Sequence, residues 1–171
     1  KRTGNRPIAA GRMSKEEAWF FAVLSGAVGC WMMWYFFNLE AALLSLLSLF
    51  IYGFVYTPLK KVSAISVLVG AFPGAFLCLI GWVAGADGFT AGGWVLFAIQ
   101  FIWQFPHFWA IAWVAHRDYD LAGFKLLPNQ NEPTKKTALQ AIGYSMIMIP
   151  LGFLPNLVGI TGVYSMWFVL A

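Results

Sequence analysis

The sequence predicts an all-α, polytopic membrane helical bundle, with about five full transmembrane helices and part of a sixth. Three observations predict this fold class. Of the 171 residues, 60% are hydrophobic and only 11% are charged, whereas soluble domains contain about a quarter charged residues. Apolar runs of about 20 residues, long enough to cross a hydrocarbon core about 30 Å thick, fill almost the whole chain. All eleven Lys and Arg residues fall in alternate loops, as expected for a chain that crosses a membrane repeatedly.

The apolar segments define one membrane-embedded domain, residues 1–171. Ser14, with Glu17 three residues later, is typical of a capping box and predicts the start of the first helix. The chain begins at Lys1 without an initiator Met and stops inside an apolar run, so we expect a domain truncated at both ends. The predicted spans are about 18–37, 39–57, 62–86, 90–115, 134–154 and, in part, 163–171.

The third predicted span contains two pairs of glycines at a spacing that favours close helix packing. Gly70 and Gly74 lie in GAFPG, and Gly81 and Gly85 lie in GWVAG. Glycines four residues apart share one helical face and let a neighbouring helix approach closely. We therefore expect tight helix contacts at both pairs.

The charged loops predict the orientation. Residues 1–15, 60–61 and 117–136 contain every Lys and Arg, and basic loops stay on the cytoplasmic or matrix side of a membrane. A bacterial cell (inner) membrane with cytoplasmic basic loops is the first interpretation, and the mitochondrial inner membrane is the second. The net charge of +4 therefore reports topology and indicates no nucleic-acid partner.

Polar side chains within the fourth span form a predicted stripe. Gln100, Gln104 and His107 fall at i, i+4 and i+7, which is one face of a helix. If the helix continues, Asp118 lies within about 20° of His107 and roughly 16 Å further along the axis, whereas Asp120 points elsewhere. The stripe is typical of a cleft with a charged mouth. Alternatively, the glutamines simply form hydrogen bonds between helices.

Basic and hydroxyl groups occupy the same predicted rim as Asp118. Tyr56 and Lys60 are four residues apart in YTPLKK, and Arg2 and Arg6 lie in RTGNRP. Ammonium and guanidinium groups beside a carboxylate suit a diphosphate whose oxygens bridge to Mg²⁺. Without other context, loop carboxylates are most often only solvated.

Three segments together resemble a known family: KRTGNRP, YTPLKKVSAISVLVGAFPGAFLCLIGW and WQFPHFWAIAWVAHRDYDLAGFKLLP. In this order, they resemble the UbiA-type intramembrane prenyltransferases, and within these most closely the protohaem IX farnesyltransferases, or haem O synthases. The Tyr-x-x-x-Lys pattern is shared by the wider superfamily. The patterns RTxxRP, WQxPHFW and DYxxAG followed by LP are more specific to the haem branch.

The resemblance implies an enzyme that transfers the farnesyl group of farnesyl diphosphate to a vinyl group of haem b. The products would be haem O and diphosphate, in haem O and haem A biosynthesis for terminal oxidases. It implies Mg²⁺ as the cofactor, haem b as a substrate, and the lipid bilayer as the environment. Haem A synthase or the oxidase assembly machinery would be the protein partners.

The resemblance also assigns roles to individual residues. It implies Asp118, Lys60 and Tyr56 as catalytic residues, and Asp118 with Asp120 as metal ligands. It implies two Asp-rich motifs in a bundle of about nine spans, with Asp118 in the second motif. The implied substrate-binding residues are Arg2, Arg6, Tyr56, Lys60, Gln104, His107 and Lys125.

Two departures from the family pattern bear on these roles. The carboxylates of the first Asp-rich motif would lie just before Lys1, so we expect an Asn and at least two Asp residues about four apart upstream. The usual DYxxAGIPMLP reads DYDLAGFKLLP here, in which Lys125 either adds a diphosphate contact or marks sequence drift. His107 would either bind or orient the haem, or serve only as an interhelical histidine.

Two other functions remain open from the sequence. A prenyltransferase with an aromatic quinone-precursor acceptor would keep Asp118, Tyr56 and Lys60 but would show no haem spectrum. A proton-coupled transporter would use the polar stripe as a proton relay and would release no diphosphate.

Overall fold

The computed structural model describes residues 4–128 and 132–170, and within these ranges it contains helices and no strands. The all-α prediction is confirmed. A π-helical segment, Ile51–Tyr56, joins the second and third α-helices. In chain order the α-helices are α1 Lys15–Phe36, α2 Leu39–Phe50, α3 Thr57–Leu59, α4 Ile65–Ala86, α5 Ala91–Val114, α6 His116–Leu121, α7 Lys135–Leu157 and α8 Ser165–Leu170.

Five helical stretches of the described chain are long and apolar enough to cross a membrane. They are α1, α4, α5, α7 and the continuous stretch Leu39–Leu59, which comprises α2, the π segment and α3. These match the five full spans predicted from the sequence to within a few residues, and α8 begins at the predicted partial span. The chain is therefore a multi-pass integral membrane protein.

Polar caps satisfy the helix ends that an apolar environment would leave unpaired. The predicted capping box is confirmed: Ser14 Oγ accepts from the Glu17 N–H at 3.0 Å, and Glu17 Oε2 accepts from the Ser14 N–H at 2.7 Å. Asn38 does the same for α2, accepting from the Ala41 N–H at 2.8 Å. Its amide also donates to the Val83 carbonyl at 2.8 Å, which ties the start of α2 to the end of α4.

The spanning helices pack in chain order, with α1 against α2, α2 against α4, α4 against α5, and α5 against α7. Two buried clusters hold this row together, one at each half of α4. The cluster at the start of α4 comprises Val67, Ala71, Phe105, Trp109, Ala112, Leu126 and Leu127. The cluster at its end comprises Ala41, Phe76, Leu79 and Val83.

A ladder of aromatic side chains follows α5 through the first cluster. Phe97, Phe101, Phe105 and Trp109 are four residues apart, and successive ring centroids are 5.6, 5.4 and 5.8 Å apart. Tyr144 of α7 joins the ladder with its ring 4.8 Å from Phe105. Tilted and edge-on ring pairs at these distances stabilise by about 0.5–1.5 kcal/mol beyond the area they bury, so the ladder is a stiff element of α5.

The glycine pairs of α4 behave differently from one another. A Cβ atom added at Gly70 would lie 2.8 Å from the Tyr56 ring, and one added at Gly74 would collide with the Gln104 amide. Close packing at this pair is confirmed. At Gly81 and Gly85 no atom would lie within 4 Å of an added Cβ, so the prediction of a tight contact is wrong for the second pair. In the described part of the chain, Gly81 and Gly85 face open space, whereas Val83 between them is buried in the second cluster.

We expect Gly74→Ala to destabilise the protein and Gly81→Ala to be tolerated. The new methyl group at residue 74 must displace the Gln104 side chain, and overpacking of this kind costs about 1–3 kcal/mol. Thermal unfolding in lipid nanodiscs, followed by circular dichroism, measures both variants. Equal melting temperatures for the two variants would show that α4 and α5 do not approach as described.

Candidate active site

A π-helical segment brings the Tyr-x-x-x-Lys motif into position. Ile51–Tyr56 is a six-residue π-helix, and Thr57 caps it with both its N–H and its hydroxyl directed at the Tyr52 carbonyl, the hydroxyl at 2.8 Å. Pro58 follows, and in a regular α-helix its ring would meet the carbonyl four residues earlier. The wider π turn relieves this collision. Such segments are frequent at functional sites because they re-aim the side chains that follow.

Tyr56 is seated between two helices. Its ring lies against Gly70 of α4, where a Cβ atom would be only 2.8 Å from it. The Tyr52 ring lies 5.2 Å from the Tyr56 ring, with the two planes tilted by 37°. The Lys60 ammonium lies 5.6 Å from the Tyr56 ring centroid. Tyr52, Tyr56 and Lys60 are therefore in continuous contact at the C-terminal end of the Leu39–Leu59 span.

Lys60 is half-buried beneath a second aromatic ring. Its Nζ lies 4.7 Å from the centroid of Phe124, well within the range of a cation–π contact. Burial lowers the pKa of Lys60 below its usual value, and the neighbouring Lys61 lowers it further. Both effects disfavour the charged form, and an anion bound beside Lys60 would favour it.

The helix that leads towards Asp118 is interrupted. α5 ends at Val114, and Ala115 adopts φ −97° and ψ 23° before α6 begins at His116. The expected straight continuation from His107 to Asp118 is therefore wrong, because the chain leaves the α5 axis at Ala115. Asp118 and Asp120 are both exposed on α6, in a short helix of its own.

The predicted polar stripe divides into two environments. Gln104 is buried, and its Nε2 donates to the Ala71 carbonyl of α4 at 3.4 Å, which is the interhelical hydrogen bond considered as its alternative role. His107 is exposed and stacks on Trp103, with centroids 4.3 Å apart and planes 18° apart. Gln100 is half-buried. The stripe thus joins α5 to α4 through Gln104. At His107 it presents an exposed imidazole ring that is nearly parallel to the Trp103 ring.

A Schellman turn ends α6 and reverses the chain. The Phe124 N–H donates to the Tyr119 carbonyl and the Gly123 N–H to the Asp120 carbonyl, each at 2.9 Å. Gly123 has φ +70°, the left-handed conformation that this motif requires and that glycine adopts without strain. The rings of Tyr119 and Phe124, 6.1 Å apart, supply the hydrophobic contact that accompanies the motif.

The segment after this turn reaches the Tyr-x-x-x-Lys motif. The Lys125 N–H donates to the Lys60 carbonyl at 2.7 Å, and Leu126 and Leu127 are buried in the first cluster beside Val67. The second Asp-rich motif and the Lys60 turn are therefore joined at one rim. The packing of Phe124, Leu126 and Leu127 was not predicted from the sequence. The apolar residues after Gly123 were nevertheless a signal that this loop packs against the first cluster.

The remaining predicted residues are less closely involved. Arg6 is exposed in the turns that precede α1, and its carbonyl accepts from the Ala10 N–H at 2.8 Å. Arg2 lies outside the described residues. The Lys125 side chain is exposed, so the contact described here for Lys125 is made by its backbone.

The carboxylates fit a metal held mainly by other ligands. In residues 4–128 and 132–170 no three His, Cys, Asp or Glu side chains form a metal-binding group. On a helix, Asp118 and Asp120 point about 200° apart, so one ion would take only one of them. Mg²⁺ commonly binds one or two carboxylates and completes its octahedron with phosphate oxygens and water. Asp118 fits such an ion if a diphosphate is bound beside it.

Comparison with known proteins agrees with the resemblance read from the motifs. Residues 1–171, the whole chain, match the UbiA prenyltransferase family. The chain belongs to the UbiA prenyltransferase family. The match includes α2 to α6, the helices that position Tyr56, Lys60 and Asp118, so the rim described above lies within the family domain. No solved structure gives a significant match to the chain.

Several relatives carry a more specific name. Protoheme IX farnesyltransferase of Cytophaga hutchinsonii is 49% identical over 173 residues, which cover 100% of this chain and 60% of the relative. That of Flavobacterium johnsoniae is 47% identical over 161 residues, covering 94% of this chain and 53% of the relative. The mitochondrial protein of Arabidopsis thaliana is 38% identical and covers 99% and 39%. The chain spans between two fifths and three fifths of these relatives' lengths.

The lowered pKa of Lys60 predicts an early response to alkaline pH. Lys60 should lose its proton at a lower pH than an ordinary lysine, so its rate of modification by an amine-selective reagent should rise at lower pH. Lys61→Gln removes a neighbouring positive charge and should move the Lys60 transition to higher pH, although burial keeps it below that of a free lysine. Mass spectrometry across a pH series reads both residues. An unchanged Lys60 transition in Lys61→Gln would contradict the assigned cause.

Proposed function

We propose that the intact protein transfers the farnesyl group of farnesyl diphosphate to a vinyl group of haem b, yielding haem O and diphosphate. The observation that carries this proposal is the junction at the rim, where the loop after Asp118 contacts both the backbone and the ammonium of Lys60. This junction ties the segment that follows Asp118, which carries a carboxylate suited to a hard cation, to the turn that carries the Lys60 ammonium. The names of the relatives at up to 49% identity support haem as the acceptor.

The residues of the rim suit a diphosphate leaving group. The Lys60 ammonium would bind its non-bridging oxygens, and the Tyr56 hydroxyl would donate a hydrogen bond to the same group. Mg²⁺, held by Asp118, supplies further neutralisation of the diphosphate charge when bound. Charge that develops on the leaving oxygen would thus meet fixed positive groups, which is the most effective form of electrostatic catalysis.

Loss of diphosphate would leave an allylic cation, which bonds to the terminal vinyl carbon of haem b and leaves the positive charge on the vinyl carbon next to the porphyrin ring. Water would add at that carbon and lose one proton, giving the hydroxyethylfarnesyl product. The aromatic ladder and Trp103 place several ring faces along α5. Ring faces attract cations, more strongly where water is excluded. We therefore propose that α5 provides the wall along which the cation and the acceptor meet.

The flat pair of His107 and Trp103 is the proposed contact for the haem. His107 is exposed and parallel to the Trp103 ring, so its imidazole is accessible to a planar ligand from the bilayer side of the helix. Imidazole is a common haem-iron ligand and also a hydrogen-bond partner for propionates. Either contact would orient the vinyl group towards the rim.

The rest of the proposal concerns the surroundings of the site. We propose that the protein lies in the inner membrane of a bacterium with the rim facing the cytoplasm, because basic loops favour the cytoplasmic side. Arg2, Arg6 and the Lys125 side chain would add positive potential around the diphosphate. Asp residues of a first Asp-rich motif, outside these 171 residues, would supply further metal ligands. Haem A synthase or the oxidase assembly machinery would receive the product.

Asp118→Asn should abolish prenyl transfer because an amide replaces the carboxylate oxygen that a hard cation requires. Asp120→Asn should cost less, since its side chain points away from that of Asp118. Formation of haem O by the intact gene product in nanodiscs, with haem b and farnesyl diphosphate supplied, measures both variants, and thermal unfolding checks that each is folded. Wild-type turnover by Asp118→Asn at ordinary Mg²⁺ concentration would sink the assignment.

His107→Ala should change the absorption spectrum of bound haem or weaken haem binding about tenfold or more, because one ligand or hydrogen-bond partner is removed. His116→Ala, in the interrupted region at the start of α6, is the matched control and should do less. Titration of the purified protein with haem b provides the measurement. Superimposable titrations of wild type and His107→Ala would return His107 to a packing role, and a wild type that binds no haem would favour a quinone-precursor acceptor.

A further inference from the structure

We propose that Phe124 and the backbone N–H of Lys125 are positioning groups that hold Lys60 in place for the diphosphate. Their role in turnover rests on the proposed function, whereas their hold on Lys60 is a property of the fold. Neither residue touches the reacting atoms in this proposal. Both act through Lys60, the cation placed at the rim.

The first contact fixes the backbone of Lys60. The Lys125 N–H donates to the Lys60 carbonyl at 2.7 Å, and this bond joins two segments 65 residues apart in the chain. Lys60 follows the last turn of α3, where carbonyl groups have no partner within the helix. The bond therefore satisfies a carbonyl at the helix end and sets where the Lys60 side chain begins.

The second contact orients the ammonium. Lys60 Nζ lies 4.7 Å from the Phe124 centroid and 5.6 Å from the Tyr56 centroid. A lysine side chain has four rotatable bonds and loses considerable freedom when it binds an anion. Two ring faces that attract the ammonium reduce this freedom in advance. A ring does not neutralise the charge as a carboxylate would, so the ammonium stays available to an anion.

The groups that hold Lys60 are themselves firmly anchored. The Schellman turn at Gly123 fixes the chain before Phe124, and Leu126 and Leu127, 5% and 2% exposed, fix the chain after Lys125. Phe124 and Lys125 thus lie between two anchors only a few residues apart. A contact made by such a segment is well suited to preorganise its partner.

The chemical reactivity of Lys60 tests this positioning without reference to catalysis. In the intact gene product in nanodiscs, an amine-selective reagent should modify Lys60 faster in Phe124→Leu than in wild type, with Lys61 as the internal reference. Loss of the ring increases access and removes the stabilisation of the charged form. Phe124→Tyr keeps a ring face and should restore the wild-type rate. Equal Lys60 rates in all three proteins would overturn the role of the ring.

A second pair of variants tests the backbone bond. Lys125→Pro removes the N–H and should raise the modification rate of Lys60, whereas Lys125→Ala keeps the N–H and should leave Lys60 protected. If Lys125→Ala exposes Lys60 as much as Lys125→Pro does, the side chain is responsible and the proposed backbone role is wrong. Thermal unfolding of each variant identifies any general loss of structure.

The kinetic consequence is tested by a double-mutant cycle. Phe124→Leu should raise the KM for farnesyl diphosphate about two- to fivefold, as expected for loss of an exposed cation–π contact, with a smaller change in the KM for haem b. In a Lys60→Met background the same substitution should leave the affinity for farnesyl diphosphate unchanged, because the group that it positions is gone. Equal effects in both backgrounds would show a general packing role. If the wild-type protein forms no haem O, the proposed function fails while the lysine-reactivity result still decides the positioning.

Discussion

The close approach of two neighbouring helices to α4 is the constraint on which the rest of the structure depends. At Gly70 the Tyr56 ring occupies the space of a missing side chain, and at Gly74 the Gln104 amide does the same. These contacts set the distances from α4 to the Leu39–Leu59 span on one side and to α5 on the other. The start of α4 in turn supplies Val67 and Ala71 to the cluster that receives Leu126 and Leu127. Contacts with α4 therefore position both parts of the rim: the Leu39–Leu59 span that carries Tyr56, and the loop that contains Leu126 and Leu127.

The rim itself shows how a site can be assembled at the boundary between hydrocarbon and water. Its charged groups lie at helix ends, where backbone carbonyls also need partners, and aromatic rings separate them from the apolar interior. Lys60 is half-buried, its pKa is lowered by burial, and its ammonium lies over the rings of Tyr56 and Phe124. Asp118 is exposed on a six-residue helix, and the loop that follows this helix contacts Lys60.

Apolar length and cap residues were sufficient to predict most of the fold. The five full spans, the Ser14 capping box and the contact at Gly70 and Gly74 all follow from short-range patterns. The prediction of a tight contact at Gly81 and Gly85 was wrong. A pair of glycines permits close helix packing but does not determine whether a neighbouring helix lies there. The straight path from His107 to Asp118 was also wrong. The spacing of the polar residues predicts which of them share a helical face only while the helix continues, and it gives no sign that the helix ends at Val114.

The site was predicted only as a set of residues. The positions of Tyr56, Lys60 and Asp118 at the ends of predicted spans predicted that they share one rim. The family resemblance then implied their chemical roles. The same resemblance marked Lys125 as a departure from the usual pattern, with either a diphosphate contact or no role, and assigned no role to Phe124; for neither residue did it predict a contact within the protein. Their partner is Lys60, more than 60 residues earlier, and a contact over that separation exists only once α4, α5 and α6 have packed.

The π-helical segment also limits how this protein can vary over evolution. In the π-helix Ile51–Tyr56 each backbone hydrogen bond spans five residues, whereas in an α-helix it spans four. The segment is built as if a single residue had been inserted into the span. Insertion or deletion of one residue there would turn everything that follows by about 100° and shift it by about 1.5 Å. Tyr56 would leave Gly70, and Lys60 would leave Phe124. The length of this stretch is therefore fixed by the contacts that Tyr56 and Lys60 make.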